Sequence, residues 1–160
     1  MGDHVYRRRD IYDTLESSDN IIKPANYPTD SPGRGATVIT APNGLQVGVI
    51  NLQGRVFMKP VDCPFQAVDR ELASMPAAVR VIIVDLHAEA TSDMQIMGRY
   101  LDGRVSAVLG THTHVPTADE DIFPGGTAFQ CDVGMTGPHE SILGLRIDRV
   151  TQTATTFRTV

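Results

Sequence analysis

Residues 79–114 read VRVIIVDLHAEATSDMQIMGRYLDGRVSAVLGTHTH, and the fold class follows from how the apolar pattern changes along them. Val79 to Leu86 is an apolar run that closes on His87 and is expected as a strand. A helix is expected from about Ser92 to Leu101, with Ser92 as its N-cap. Val105 to Leu109 is a second apolar run, followed at once by Gly110-Thr111-His112-Thr113-His114. This β-α-β order predicts a parallel pair of strands joined by a right-handed crossover. In such sheets ligands gather at the carboxyl ends of the strands, and both His87 and the His112/His114 pair fall there.

The two imidazoles of His112 and His114 stand two residues apart. In an extended backbone such residues point to the same side, so they either hold one ion together or each reach one of two adjacent ions. A lone histidine at a strand end is more often a hydrogen-bonded structural residue. Here three of the five histidines in the chain lie at two successive strand ends, which shifts the reading to metal binding.

Working outward, Arg7 to Ser17 reads as a short helix with Ile11, Tyr12 and Leu15 on one face. The stretch from Lys23 to Gly35 holds three prolines and two glycines and is expected to be a loop. Ala36 to Thr40 and Leu45 to Leu52 flank Pro42-Asn43-Gly44, a strong hairpin signal. Phe65 to Ser74 is expected as a helix, and Thr127 to Val133 and Val150 to Phe157 as later strands. Gly125-Gly126 lacks the strand-to-helix context of a phosphate loop and reads as a turn.

At 160 residues the chain is expected to form one domain, 1–160, and 41% hydrophobic with 21% charged residues is an ordinary globular composition. No run approaches the ~18 apolar residues of a membrane span, and the basic start at Arg7-Arg8-Arg9 is followed by no apolar segment of a secretory signal, so a cytoplasmic address is expected. Cys63 and Cys131 are far apart and form neither a disulfide framework nor a thiolate zinc motif. A net charge of −5 gives no broad footprint for nucleic-acid phosphates, and the triple arginine reads as a solvated face.

Five ordered segments carry a resemblance: Asn51 to Met58, Asp85 to Ser92, Tyr100 to Val108, Gly110 to Val115 and Asp132 to Pro138. Together they resemble the YmdB-type branch of the calcineurin-like metallophosphoesterases. That resemblance implies an α/β chain forming a portion of a β-sandwich flanked by helices. It further implies a phosphodiesterase that acts on cyclic nucleotides or similar small diesters through two divalent ions, iron or manganese ahead of zinc.

Carried over by the resemblance, His87 and His112 are expected as ligands of the second metal and His114 as a ligand of the first. The family's Gly-Asn-His motif reads Gly2-Asp3-His4 in this chain. Asp3 thus stands where the family has a metal-binding amide, and a carboxylate is a competent, more negative oxygen ligand. His4 is the expected catalytic proton donor. Asp85, Glu89 and Asp132 are candidate partners for the outer N–H groups of ligand histidines. Arg55 and Arg104 are weaker candidates for phosphate contact, with ion pairing the commoner role, and His139 is expected at the surface.

The family also carries a strand-end Asp and a Glu-Asn pair upstream of the Gly-Asn-His motif, where this chain has only Met1. The expectation is an incomplete domain lacking the N-terminal βαβ layer, short at its C-terminal end too. Asp3, His87, His112 and His114 then suffice for about one ion, with impaired turnover. Two other readings stand beside this one, a mononuclear metal hydrolase and a non-catalytic metal-binding or assembly module. An exposed sheet edge or face would favour a homo-oligomer.

Overall fold

The computed structural model describes residues 2–158. The fold is α/β, with a six-stranded mixed sheet and, among the described residues, four helices. The elements run α1 (Ile11–Ser17), β1 (Ala36–Thr40), β2 (Gln46–Gln53), α2 (Pro64–Ser74), β3 (Val81–His87), α3 (Thr91–Tyr100), β4 (Ala107–Thr111), β5 (Asp121–Ile122), β6 (Ala128–Gln130) and α4 (Ile147–Thr156). Their order across the sheet is β1-β2-β3-β4-β6-β5. No helix among the described residues is long and apolar enough to cross a membrane.

The expected hairpin forms: β1 and β2 are antiparallel around a turn in which Gly44 takes a positive φ of 84° and the Asn43 side chain accepts from Leu45 N–H. β2, β3 and β4 then run parallel, as the β-α-β reading requires, with Ile50, Val84 and Val108 side by side and Leu52 beside Leu86. These residues are buried and pack with Ala67 and Val68 of α2 and with Met94 and Met97 of α3.

The same registers place a second set on the opposite face. At its carboxyl end this set is polar: Asn51 beside Asp85, and Gln53 beside His87 and Thr111. At its amino end it is apolar and only half-buried, with Val47, Val49, Val81, Ile83 and Leu109. All named strands belong to one sheet, and the facing sheet of the expected sandwich is not found among the described residues.

The loop from Lys23 to Gly35 is pinned to the polar end. Asn26 is fully buried; its side-chain oxygen accepts from Gln53 N–H and its amide donates to Gln53 O and Asp62 O. It stands in for a strand backbone where β1 has ended.

Four sequence expectations change. The segment Val150–Phe157 is not a strand: Ile147–Thr156 is a helix, since Ile147, Val150 and Ala154 recur at helical spacing, and Phe157 closes it in the left-handed conformation at φ 56°. Its β-branched threonines suggested a strand, yet none of its side chains is buried and local spacing decides. Ser92 is not the N-cap of α3; the helix starts at Thr91 after Ala90. The first-turn carboxylate of Asp93 instead accepts from Arg55 N–H and Val56 N–H, tying down the loop after β2. Helix α1 begins at Ile11 rather than Arg7, which leaves residues 3–10 in turns and bends. Strand β6 covers only Ala128–Gln130 of the expected 127–133, because Asp132 is drawn into hydrogen bonds with the His112–His114 loop.

Candidate metal centre

Strands β3 and β4 end side by side, with His87 opposite Thr111. The chain between Gly2 and Asp3 lies against this end: a Cβ on Gly2 would come within 2.5–2.7 Å of the His87 ring, so only glycine permits that approach. Asp3, His87 and His112 consequently come together, each offering one ligand atom within 4.8 Å of the others. Asp3 Oδ1 is 3.1 Å from His87 Nε2, which in turn is 3.2 Å from His112 Nδ1.

Hydrogen bonding fixes the tautomer of both imidazoles. The Thr111 hydroxyl donates to Asp85 Oδ1 at 3.1 Å, leaving its lone pair to accept from His87 Nδ1–H at 3.0 Å. Asn51 holds Asp85 from the other side, its amide donating to Asp85 Oδ2 at 2.8 Å. On His112 the outer nitrogen, Nε2, donates to the Glu89 carboxylate. Both inner nitrogens are therefore lone pairs, and they face each other and the Asp3 carboxylate. Burial pushes the His87 pKa down, against the pull of Asp3, which favours the neutral, ligating form.

Three converging lone-pair donors repel one another unless a cation or a shared proton lies among them. Two of their separations, 3.1 and 3.2 Å, fall in the ~2.8–3.4 Å span of edges expected of polyhedra with ~2.0–2.1 Å metal–ligand bonds. Two imidazoles and a carboxylate, each imidazole donating its outer N–H to an oxygen, are the donor set and support that divalent Mn, Fe or Zn sites use. The residues present fit a metal ion.

His114 lies outside this group. β4 ends at Thr111, so the next residues are not extended: His112 has φ 153° and His114 φ 69°, both unusual for non-glycine residues. The same-side rule for an extended backbone does not apply there. His114 is exposed, its Nδ1–H donating to Leu143 O at 3.3 Å, and it lines a cavity of about 320 Å³ with the exposed His139. Asp132, almost fully buried, holds the bend in place: it accepts from Thr113 N–H at 2.6 Å, the Thr113 hydroxyl at 2.8 Å and Gly134 N–H at 2.7 Å.

His4 stands beside the group, with Nδ1 at 3.0 Å from Asp3 Oδ1 and a side chain 69% exposed. Of the weaker candidates, Arg104 pairs with Asp69 at 2.6 Å, the structural role. Thr111 was not singled out in the sequence; its only signal is its register opposite His87. Tyr6, Tyr27 and Lys59, which line a cavity with Asp3 and His4, come from loops and left no periodic signal.

A family model described as YmdB-like protein matches residues 1–160. The chain is 49% identical over 145 residues to the 2′,3′-cyclic-nucleotide 2′-phosphodiesterase of Bacillus subtilis (strain 168), an alignment that covers 91% of this chain and 54% of that protein. A crystal structure of a hypothetical protein from Thermus thermophilus superposes with a TM-score of 0.88 at 42% identity, covering 99% of this chain and 61% of that one. A phosphatase from Mycoplasma pneumoniae superposes with a TM-score of 0.80 at 29% identity, covering 96% and 56%. The chain spans about half the length of the curated relatives it matches.

Proposed function

The chain belongs to the YmdB-like family, and from this premise we propose that it is a metal-dependent hydrolase of phosphodiesters, with 2′,3′-cyclic nucleotides as the substrate class. The observation that carries this reading is the convergence of Asp3 Oδ1, His87 Nε2 and His112 Nδ1, with both outer N–H groups tied to Thr111 and Glu89. These three residues would hold one divalent ion, manganese or iron by the mixed nitrogen and oxygen donors, with zinc compatible. An ion held there supplies an acidified water and charge neutralisation for a phosphoryl oxygen.

The protein's own groups have separate tasks. Thr111 and Glu89 keep the imidazoles oriented and their inner nitrogens unprotonated. Asp3 is both ligand and hydrogen-bond partner of His4, whose Nδ1–H it accepts. His4 Nε2 is then the position from which a proton passes to the leaving ester oxygen, and its exposure lets solvent replenish that proton.

The two-ion form of the reaction that the family resemblance implies would need a second site, at His114. The three residues assigned to one ion lie together, while His114, assigned to the other, lies apart; this supports separate sites over one shared site. Carboxylates completing a second site beside His114 are not found among the described residues, which favours one ion per chain here. The half-buried apolar face of the sheet is where we seat the second layer of a sandwich or, without it, a second copy of this chain.

Elemental analysis of the purified chain after loading with Mn²⁺ or Fe²⁺, with hydrolysis of 2′,3′-cyclic AMP measured on the same sample, tests the reading. About one ion per chain and metal-dependent turnover are expected. Full metal loading with no diester turnover would leave the non-catalytic binding module as the better description.

A further inference from the structure

We infer that the cavity bordered by Asp3, His4, Tyr6, Arg7, Tyr27 and Lys59 is a subsite for the nucleoside part of an anionic phosphate ester, opening onto the metal centre through Asp3. The inference rests on the hydrolase reading for the position of the reacting phosphorus and adds where the rest of the substrate sits. Asp3 belongs both to the metal-ligating group and to the wall of this cavity, so a phosphate beside Asp3 has the cavity as the adjacent space for its ester substituent.

The cavity measures about 560 Å³, within the range of about 300–1,000 Å³ typical of small-molecule sites. Its chemistry is that of a flat ring attached to an anion. Tyr6 and Tyr27 form an aromatic wall with ring centroids 5.8 Å apart. Their hydroxyls are tied back, Tyr6 donating to Pro32 O and Tyr27 to Gln53 Oε1, each at 2.5 Å, so the rings are left to serve the cavity. Stacking of a base on such a ring contributes about 1–3 kcal/mol and tolerates any base.

Arg7 and Lys59 border the same space and form no ion pair among the described residues. In a chain of net charge −5, two unpaired cations beside a metal site create a local field for an anion. Both are exposed, so neither is needed to hold the fold.

Isothermal titration calorimetry on the full chain with three probes tests this: adenosine 3′-monophosphate, ribose 5-phosphate and inorganic phosphate at one ionic strength. Affinity should fall in that order, with the adenosine probe at least fivefold tighter than ribose phosphate. Arg7→Gln and Lys59→Gln should each weaken the adenosine probe about 3–10-fold, with unchanged circular dichroism. Equal affinity for all three probes, or a double variant within twofold of the unsubstituted chain, overturns the subsite. Ordered affinities in a chain that never hydrolyses diesters support the subsite and count against the hydrolase reading.

Discussion

Nε2 of His87 and Nδ1 of His112 lie 3.2 Å apart, and each ring has its other nitrogen committed to an oxygen, Thr111 Oγ1 in one case and Glu89 Oε2 in the other. Two lone pairs at that distance, with a carboxylate oxygen 3.1 Å from one of them, form a group that could hold a cation. His87→Ala or His112→Ala should therefore lower Mn²⁺ content at least tenfold by elemental analysis. His114→Ala should retain that ion, because His114 stands outside the group. Equal loss from all three would mean that the bend after Thr111 rearranges on metal binding.

The Thr111 hydroxyl links Asp85 to His87 through Nδ1, the ring nitrogen that faces away from the Asp3–His112 group. Groups in this position are worth about 10–100-fold in metal affinity. Thr111→Val, which keeps the shape and loses the hydroxyl, should weaken metal binding by that amount in a competition titration. Thr111→Ser should restore it. A Val variant that binds metal as the unsubstituted chain does would show that burial alone orients His87.

The parallel strands, the hairpin and the ends where His87 and His112 lie were legible because local signals agree there: apolar runs, an Asn-Gly turn and strand-end histidines. The joining of Asp3 to them was legible only by resemblance, since 84 residues separate Asp3 from His87 and no period links them. Spacing alone did not locate His114, because H-x-H implies a shared side only while the backbone stays extended, and β4 stops at Thr111. Helix α4 was missed because β-branched residues outweighed spacing in a segment that buries nothing.

Gly110 lies where β4 meets the chain of Cys131: a Cβ there would collide with Cys131 O and sit 2.8 Å from Met94 Sδ. The backbone oxygen cannot yield without breaking the pairing beside it, where Val133 N–H donates to Gly110 O at 3.0 Å. Gly110→Ala should cost ~3 kcal/mol or more. Loss of soluble protein, or a thermal midpoint lowered by at least about 6–12 °C, is the expected result.

The two cysteines should differ in reactivity. Cys131 is buried, and burial together with the neighbouring Asp119 carboxylate pushes its pKa up to about 11. At pH 8 its thiolate fraction is then about one in a thousand. Cys63 is only partly buried. Iodoacetamide at pH 8 should modify Cys63 first by peptide mass spectrometry, with Cys131 following as pH rises toward 11 or as the chain unfolds. Rapid labelling of Cys131 in the folded chain at pH 8 would contradict its burial.

The sheet face opposite α2 and α3 leaves Val49 and Ile83, paired in register on β2 and β3, only half-covered, with Val47, Val81 and Leu109 around them. Contiguous apolar surface of this kind drives association, and the edge strand β1 beside it offers unpaired backbone groups for the same purpose. The chain of 17.4 kDa is therefore expected to sediment as a concentration-dependent oligomer at micromolar concentrations. Replacing Val49 and Ile83 together by Thr keeps β-branching, and with it the strand preference, while removing apolar surface from the middle of the patch. The double variant should shift to monomer in sedimentation velocity with its circular dichroism unchanged. A monomeric unsubstituted chain across the full concentration range would show that this face is tolerated in water as it stands, and would sink the assignment of a second copy to it.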